Sequence, residues 1–169
     1  RPRFGANTSI NNIGNIIACG AYTYSSSSKT SLGAIVTFEW REFTLNDVGK
    51  YNYDASNNDI TSLPFIVTLL NDSIPIVGNK YWIQKGSPII GTNEGEQLGR
   101  FCMKMSSNNK TIVSKKHNAM TMVVYQWDDT NNDWKKIADD IKHTDGDGWS
   151  GSTNNTSVDV NNDGSIIYF

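Results

Sequence analysis

The chain has 169 residues, a net charge of −2 and an isoelectric point of about 5.6, which suits one domain or a few small repeats that share a core. Its 15 Lys and Arg residues are dispersed along the chain, and this argues against a nucleic-acid-binding surface. The chain has no run of about 18 apolar residues, so we expect no membrane-spanning helix.

The first predicted element is a β-hairpin over residues 10–21, in which an Asn/Gly turn joins two apolar strands. Gly14 lies where a tight turn needs a positive φ. A close echo of the hairpin covers residues 160–169, and a looser echo covers residues 105–113. A hairpin that recurs in this way indicates an all-β protein built from repeats.

Two longer strands are predicted at residues 34–40 and 120–127, and both end in an aromatic residue, an acid or amide, and Trp. In the first strand, alternation places two sets of side chains on opposite faces: Ile35, Thr37 and Glu39 on one, and Val36, Phe38 and Trp40 on the other. Residues 25–31 are predicted to be a polar loop, 41–61 are the least regular part, and 65–70 form a β-rich apolar run.

Two segments place a Trp seven residues before an Ile, namely 82–89 and 134–141. The second segment alone also fits one face of a helix. Gly86 and Pro88 make a regular helix unlikely in the first segment. We therefore predict a strand followed by a turn in both copies.

Predicted turns are centred near residues 14, 73, 110 and 164, a spacing that suits propeller blades of about 40–50 residues each. The approximate repeats are 4–61, 62–98, 99–145 and a partial repeat, 146–169. We expect a β-propeller-like array of about three to four small antiparallel sheets, with a β-sandwich or barrel as the alternative. The last strand closes the fold, belongs to a longer protein or pairs with a partner.

Three segments carry a resemblance to a known family: 161–167 (NNDGSII), 16–21 (IIACGA) and 123–127 (VVYQW). They resemble divergent extracellular β-propeller repeats of the integrin-α (FG-GAP) type. The resemblance implies a secreted, cell-surface or virion-associated protein with a binding or structural role rather than a catalytic one. Closed propellers of this kind have at least about four blades, and this chain offers fewer complete ones.

Residues 159–164 match the opening of a calcium-binding loop, with oxygen-bearing side chains at the first, third and fifth positions: Asp159, Asn161 and Asp163. Position nine is Ile167, and the matching turn at 9–14 has no carboxylate. An Asn-Asp-Gly hairpin turn is therefore the competing interpretation. We expect no other cofactor.

Aromatic side chains provide a candidate glycan-binding surface, because Trp faces stack on sugar rings. Trp149, in a Gly/Asp/Ser loop, and Trp82 are the candidates, with structural packing as the competing explanation for the recurrent tryptophans. Five glycosylation sequons begin at Asn7, Asn71, Asn109, Asn154 and Asn155, a number close to what the Asn, Ser and Thr content gives by chance.

Other motifs favour no catalytic chemistry. The G-x-G-x-x-G match at 146–151 opens no predicted helix, and His117 and His143 lack metal-ligand spacing. For Cys19 and Cys102 we favour two buried thiols over one disulfide.

The sequence therefore predicts a non-enzymatic structural or binding module of an extracellular or particle-surface assembly, with protein partners or self-assembly. The main alternative is a carbohydrate-binding, lectin-like propeller. A secreted hydrolase on the same scaffold is the third hypothesis, and it is disfavoured because no acid/base constellation recurs in the repeats.

Overall fold

A computed structural model describes residues 4–51, 66–67, 74–117, 121–142 and 157–168. Its regular structure consists of β-strands and one 3₁₀ turn, Leu45–Asp47. The strands are β1 (Phe4–Ile10), β2 (Ile16–Ala21), β3 (Ala34–Glu42), β4 (Ile66–Val67), β5 (Lys80–Gln84), β6 (Ile89–Ile90), β7 (Met103–Met105), β8 (Thr111–Lys116), β9 (Thr121–Asp128), β10 (Asp133–Lys136), β11 (Ile141–Lys142), β12 (Asp159–Val160) and β13 (Ile167–Tyr168). The predicted all-β class is confirmed.

The first sheet contains six strands in the order β1-β2-β3-β5-β4, and β6 pairs with β3 beside β5. All of these pairings are antiparallel. Strands β4 to β6 lie in the predicted repeat 62–98, yet they belong to the same sheet as β1 to β3, which lie in the predicted repeat 4–61. The repeat boundaries themselves stay predictions, since the predicted turn at 71–73 lies outside the described residues.

The second sheet has the order β7-β8-β9-β10, with β11 also paired to β9, and a separate hairpin pairs β12 with β13. The two larger sheets follow the same plan. In each sheet a hairpin is followed by a long central strand, β3 or β9. The other edge of that strand pairs first with one strand, β5 or β10, and then with a two-residue strand, β6 or β11. Several small antiparallel sheets were predicted and are confirmed, and in the described part of the chain none closes into a barrel.

The two copies of the Trp-Ile segment have the predicted strand-plus-turn structure. Trp82 in β5 pairs with Trp40 of β3, and Ile89 in β6 pairs farther along the same strand. Trp134 in β10 pairs with Trp127 of β9, and β11 continues along that strand in the same way. A helix is therefore excluded in both copies.

The main core lies between the two larger sheets. Strand β3 alternates as predicted, so Ile35 faces this core and Val36 faces away from the second sheet. The residues of the main core are Ile16, Ala18, Ile35, Ile89, Leu98, Met103, Met105, Ile112 and Val123, with Tyr125 and Trp134 packed against them.

The second sheet is buried on both faces. On the face away from the first sheet, it packs against the β12–β13 hairpin through a cluster of Cys102, Val113, Met122, Val124 and Val158, with Ile141 and Ile167 at its edge. The sheets and the hairpin are therefore stacked in chain order, each covering the apolar face of the one before it. Both cysteines are thiols, as favoured, although Cys19 is half-buried and Cys102 alone is buried.

Candidate functional site

Three hairpin turns close with the same backbone hydrogen bonds. Numbering each turn from one to six gives the turns 11–16, 106–111 and 161–166. In each turn the N–H of position one donates to the carbonyl of position six, at 2.9 to 3.0 Å. The N–H of position four donates back to the carbonyl of position one, at 3.0 to 3.1 Å. The echo that the sequence predicted among the three hairpins is confirmed.

Position one also closes each turn with its side chain. The oxygens of Asn11, Ser106 and Asn161 accept the N–H of position six at 2.9 to 3.0 Å. Position four has a positive φ in all three turns, at Gly14, Asn109 and Gly164. Position one is therefore Asn or Ser, and position four is Gly or Asn.

Of the residues predicted to bind calcium, Asn161 and Asp163 lie in the third of these turns, and Asp159 lies just before it in β12. Asn161 uses its Oδ1 to close the turn, and Asp163 Oδ1 accepts both the N–H and the O–H of Ser165, at 2.9 and 2.6 Å. These bonds lower the pKa of the Asp163 carboxyl. Asp159 Oδ1 accepts the N–H of Val160. The predicted ligand oxygens thus already have partners within the hairpin, and calcium binding stays a prediction.

The central strand of each larger sheet meets its hairpin at position five. Trp40 N–H donates to the Asn15 carbonyl and Trp127 N–H to the Lys110 carbonyl, both at 2.8 Å. Each of these tryptophans also packs against its cross-strand partner: the ring centroids are 5.6 Å apart in a tilted arrangement for Trp40 and Trp82, and 5.2 Å apart in an edge-to-face arrangement for Trp127 and Trp134. The shared aromatic-x-Trp pattern therefore corresponds to the same register between the hairpin and the central strand in both sheets.

Of the two tryptophans predicted to bind glycans, the structure describes Trp82 but not Trp149. Trp82 is half-buried against Trp40, which is 39% exposed. Trp149 lies outside the described residues, as do His143 and the G-x-G-x-x-G segment 146–151. The structure thus adds Trp40, which sequence reasoning assigned to packing, as an exposed partner of Trp82.

The first and second sheets are joined by polar contacts as well as by the core. Trp134 donates its indole N–H to Thr37 Oγ1 at 2.9 Å, and the N–H of Ser87 donates to Asp133 Oδ1 at 2.7 Å. Lys85 Nζ lies 4.0 Å from the centroid of the Trp127 ring. The segment between β5 and β6 is therefore seated on the β9–β10 hairpin.

An ion cluster around the buried side chains of Lys116 and Glu96 fixes the loop before β7. Lys116 Nζ lies 3.0 Å from both a Glu96 and an Asp140 oxygen, and Lys136 also pairs with Asp140. Burial raises the pKa of Glu96, but hydrogen bonds from Asn93, Lys116 and the backbone outweigh it, so the net pKa is lowered. The pKa of Asp140 is lowered for the same reasons, by Lys136 and Lys116. Because these residues are far apart in sequence, no local spacing predicts the cluster.

A second ion pair lies at the end of β3. The Arg41 guanidinium donates two bonds to the Asp47 carboxylate, at 2.8 and 2.9 Å, and one to Tyr51 Oη. Asp47 Oδ2 also accepts the N–H and the O–H of Thr44. The bond from Arg41 is the largest cause that holds the pKa of Asp47 well below its usual range. This carboxylate is therefore fully used in holding the 3₁₀ turn.

Cationic and aromatic side chains meet where β2 ends and β7 begins. Arg100 lies over the rings of Tyr22 and Phe101, and the Phe101 and His117 ring centroids are 4.9 Å apart. Burial, followed by the charges of Arg100 and Lys115, lowers the pKa of His117. His117 is thus a half-buried packing residue, with no carboxylate beside it to activate it among the described side chains.

Two of the five predicted glycosylation sites can be placed. Asn7 is half-buried and donates its side-chain amide to the Phe101 carbonyl at 2.5 Å. Asn109 occupies position four of the second turn. Both asparagines therefore have structural roles, while Asn71, Asn154 and Asn155 lie outside the described residues. Glycosylation stays a prediction at all five.

Within the ranges described, no three His, Cys, Asp or Glu side chains are grouped in a way that could hold a metal ion. None of the described segments forms a helix long and apolar enough to cross a membrane. Comparison of the chain with protein-family models, curated proteins and solved structures finds no match.

Proposed function

We propose that the chain is a non-enzymatic structural or binding module, built from stacked β repeats, that acts in an extracellular or particle-surface assembly. The repetition of one strand plan supports this proposal, because repeat arrays supply extended contact surfaces rather than a single enclosed reaction site. The ion clusters support it as well, since the acids at Asp47, Glu96 and Asp140 are all engaged in internal pairs.

The observation that carries the proposal is a group of exposed aliphatic residues on two adjoining loops. The loops are joined by hydrogen bonds from Phe43 N–H to the Asn79 carbonyl and from Gly78 N–H to the Phe43 carbonyl. Their apolar side chains are 44% to 78% exposed, namely those of Leu45, Val48, Ile74, Ile76 and Val77. Exposed apolar patches of this kind mark protein contact surfaces.

Light scattering on the purified chain tests the assembly. We expect particles heavier than the 18.8 kDa monomer, and we expect Ile76→Ser to shift them toward the monomer mass. Ile13→Ser is the matched control, because Ile13 is at least as exposed as Ile76, 72% against 63%, but lies in the first hairpin turn. A monomer at all concentrations, or equal effects of both substitutions, contradicts the proposed assembly surface.

A second candidate, glycan binding by a lectin-like propeller, is favoured by the exposed Trp40 ring beside Trp82. A flat aromatic face in contact with solvent is the kind of surface on which a sugar ring stacks. A glycan array tests it. We expect signals that Trp40→Ala abolishes and that Trp127→Ala, in the matching position of the second sheet, leaves in place. An array without signals contradicts this candidate.

A further inference from the structure

The β12–β13 hairpin corresponds to the first two strands of each larger sheet. The three turns share their backbone bonds, so β13 is the counterpart of β2 and β8. In the larger sheets this second strand pairs on its other side with the long central strand, β3 or β9. Among the described residues β13 pairs only with β12. The hairpin thus has the first two strands of the unit without a described third.

The outer edge of β13 has the groups that a third strand would need. The N–H and carbonyl of Ile166 point toward Asn161, where both are hydrogen-bonded. Because successive residues of an antiparallel strand face opposite edges, the N–H and carbonyl of Ile167 face the outer edge. The carbonyl of Ser165, at position five, is the counterpart of the two carbonyls that accept the Trp N–H in the larger sheets.

The exposed face of the hairpin is a second observation about this edge. Ile166 and Tyr168 are 50% and 58% exposed. Their counterparts in the larger sheets, listed in the order β2 then β8, are at most 3% exposed: Ile16, Ala18, Thr111 and Val113. Those counterparts are buried because a further element of the stack packs over each of them.

We propose that the outer edge of β13 binds an extended strand of the aromatic-x-Trp type, supplied by a partner protein and running antiparallel to β13. The two larger sheets fix the register. An aromatic residue lies opposite Ile17 and Ile112, so one lies opposite Ile167. An acid or amide lies opposite Ile166, and the Trp N–H donates to the Ser165 carbonyl. Strand addition of this kind supplies backbone hydrogen bonds for affinity and alternate side chains for specificity.

The probe is a synthetic peptide with the sequence of residues 121–128, TMVVYQWD, flanked by lysines for solubility. It is titrated into the ¹⁵N-labelled chain and followed by NMR. We expect a saturable shift of the Ile167 amide signal and about tenfold slower hydrogen exchange at that amide. Ile167→Pro should remove binding, because it lacks the outer N–H. Ile167→Val keeps that N–H and should bind, and an unchanged spectrum of the two larger sheets shows that both variants are folded.

Two N-methylated peptides form a matched pair. N-methylation of the Trp removes the donor for the Ser165 carbonyl and should weaken binding about fivefold or more. N-methylation of the preceding Gln removes an N–H that faces the opposite edge and should leave binding within about twofold. Equal affinities of the two peptides overturn the register. No Ile167 shift at about 1 mM peptide overturns the site, since a strand that binds with a Kd of about 1 mM or tighter would occupy at least half of the chains.

This inference rests on the repeat-built binding module proposed above, but the two can fail separately. A monomeric chain whose Ile167 amide responds to the peptide contradicts the assembly and keeps the strand site. An assembled chain that ignores the peptide contradicts the strand site alone. A concentration-dependent Ile167 shift without peptide also overturns it, because the edge is then taken by a second copy of the chain.

Discussion

Position four of the hairpin turns shows how one backbone conformation selects a residue type. It has a φ of 73° at Gly14, 66° at Asn109 and 81° at Gly164. Only glycine adopts this left-handed region without a steric cost, although Asn tolerates it better than most residues do. Asn109 also has a buried side-chain oxygen without a partner among the described residues. The second turn is therefore the least well adapted of the three.

We expect Asn109→Gly to raise the free energy of unfolding by about 0.5 kcal/mol, because it relieves the left-handed strain and removes the buried amide oxygen. Gly14→Ala is the opposite change, and we expect it to lower that free energy by about 1 kcal/mol. Urea denaturation followed by circular dichroism measures both. A less stable Asn109→Gly variant contradicts the explanation.

The buried cluster around Lys116 makes stability depend on pH. The pKa values of Glu96 and Asp140 are lowered in the folded chain from their ordinary values of 4.5 and 3.8. Their stabilising contribution is therefore complete above about pH 5 and is lost as the pH falls through the folded values. Acid should thus weaken the attachment of the loop that contains Glu96.

We expect Glu96→Gln to lower the free energy of unfolding at pH 7 by about 3 kcal/mol, because Lys116 stays buried with one carboxylate fewer. The variant should also lose less stability than the unmodified chain between about pH 5 and pH 3. Urea denaturation across that range is the measurement. Parallel pH profiles for the two proteins would show that Glu96 does not cause the dependence.

At the scale of elements, the segment between β5 and β6 links the first sheet to the second by its contacts with Trp127 and Asp133. Gly86 has a φ of 69°, and a Cβ there would lie 2.8 Å from Trp127 Cζ3 and 2.9 Å from Asp133 Oδ1. This contact between the sheets therefore depends on the absence of a side chain at Gly86 as well as on its backbone conformation.

Gly78 separates these two effects, since its φ is 93° and a Cβ there meets no atom within 4 Å. We expect Gly86→Ala to cost about 1 to 3 kcal/mol more of unfolding free energy than Gly78→Ala, through overpacking against Trp127. Thermal and urea unfolding of the two variants, measured side by side, give the difference. Equal losses would mean that the φ strain alone matters.

At the scale of the whole molecule, the stack is held by contacts between residues that are far apart in sequence. Ser9 Oγ accepts the N–H of Met105, and Trp134 reaches across to Thr37. Because the second sheet is covered on both faces, its unfolding exposes both its own core and that of its neighbours. The two larger sheets should therefore unfold together.

We expect Trp134→Phe to lower the free energy of unfolding by about 1 to 2 kcal/mol, because it leaves Thr37 without its cross-sheet donor and removes ring area from the core. Trp82→Phe is the matched control, since Trp82 has the same place in the first sheet and no indole hydrogen bond to a described residue. Its loss should be smaller. Urea denaturation is followed by circular dichroism, because both substitutions remove a tryptophan and so change the fluorescence signal directly.

The sequence predicted the parts of this architecture that are local. Strand alternation and turn chemistry act within a few residues, so the hairpins, the face assignments of β3 and the paired Trp-Ile segments could be found. Pairing of β5 with β3 joins residues that are 38 to 46 positions apart, and nothing in the repeat spacing distinguished it from a separate blade. The Lys116 cluster and the exposed position of Trp40 were missed for the same reason. The propeller arrangement stays a prediction.

The shared hydrogen-bond pattern of the hairpins has a consequence for folding kinetics. Each hairpin has low contact order and forms on the microsecond scale, before the sheets dock. Hairpins β1–β2 and β7–β8 then present the same closing geometry to β3 and β9, so the two central strands can exchange partners. Such misregistered species are kinetic traps of repeat proteins. The native partners differ in one respect: Ala18 lies opposite Thr37 in the first sheet, whereas the larger Val113 lies opposite Val124 in the second, so side-chain size distinguishes the native pairing from the swapped one.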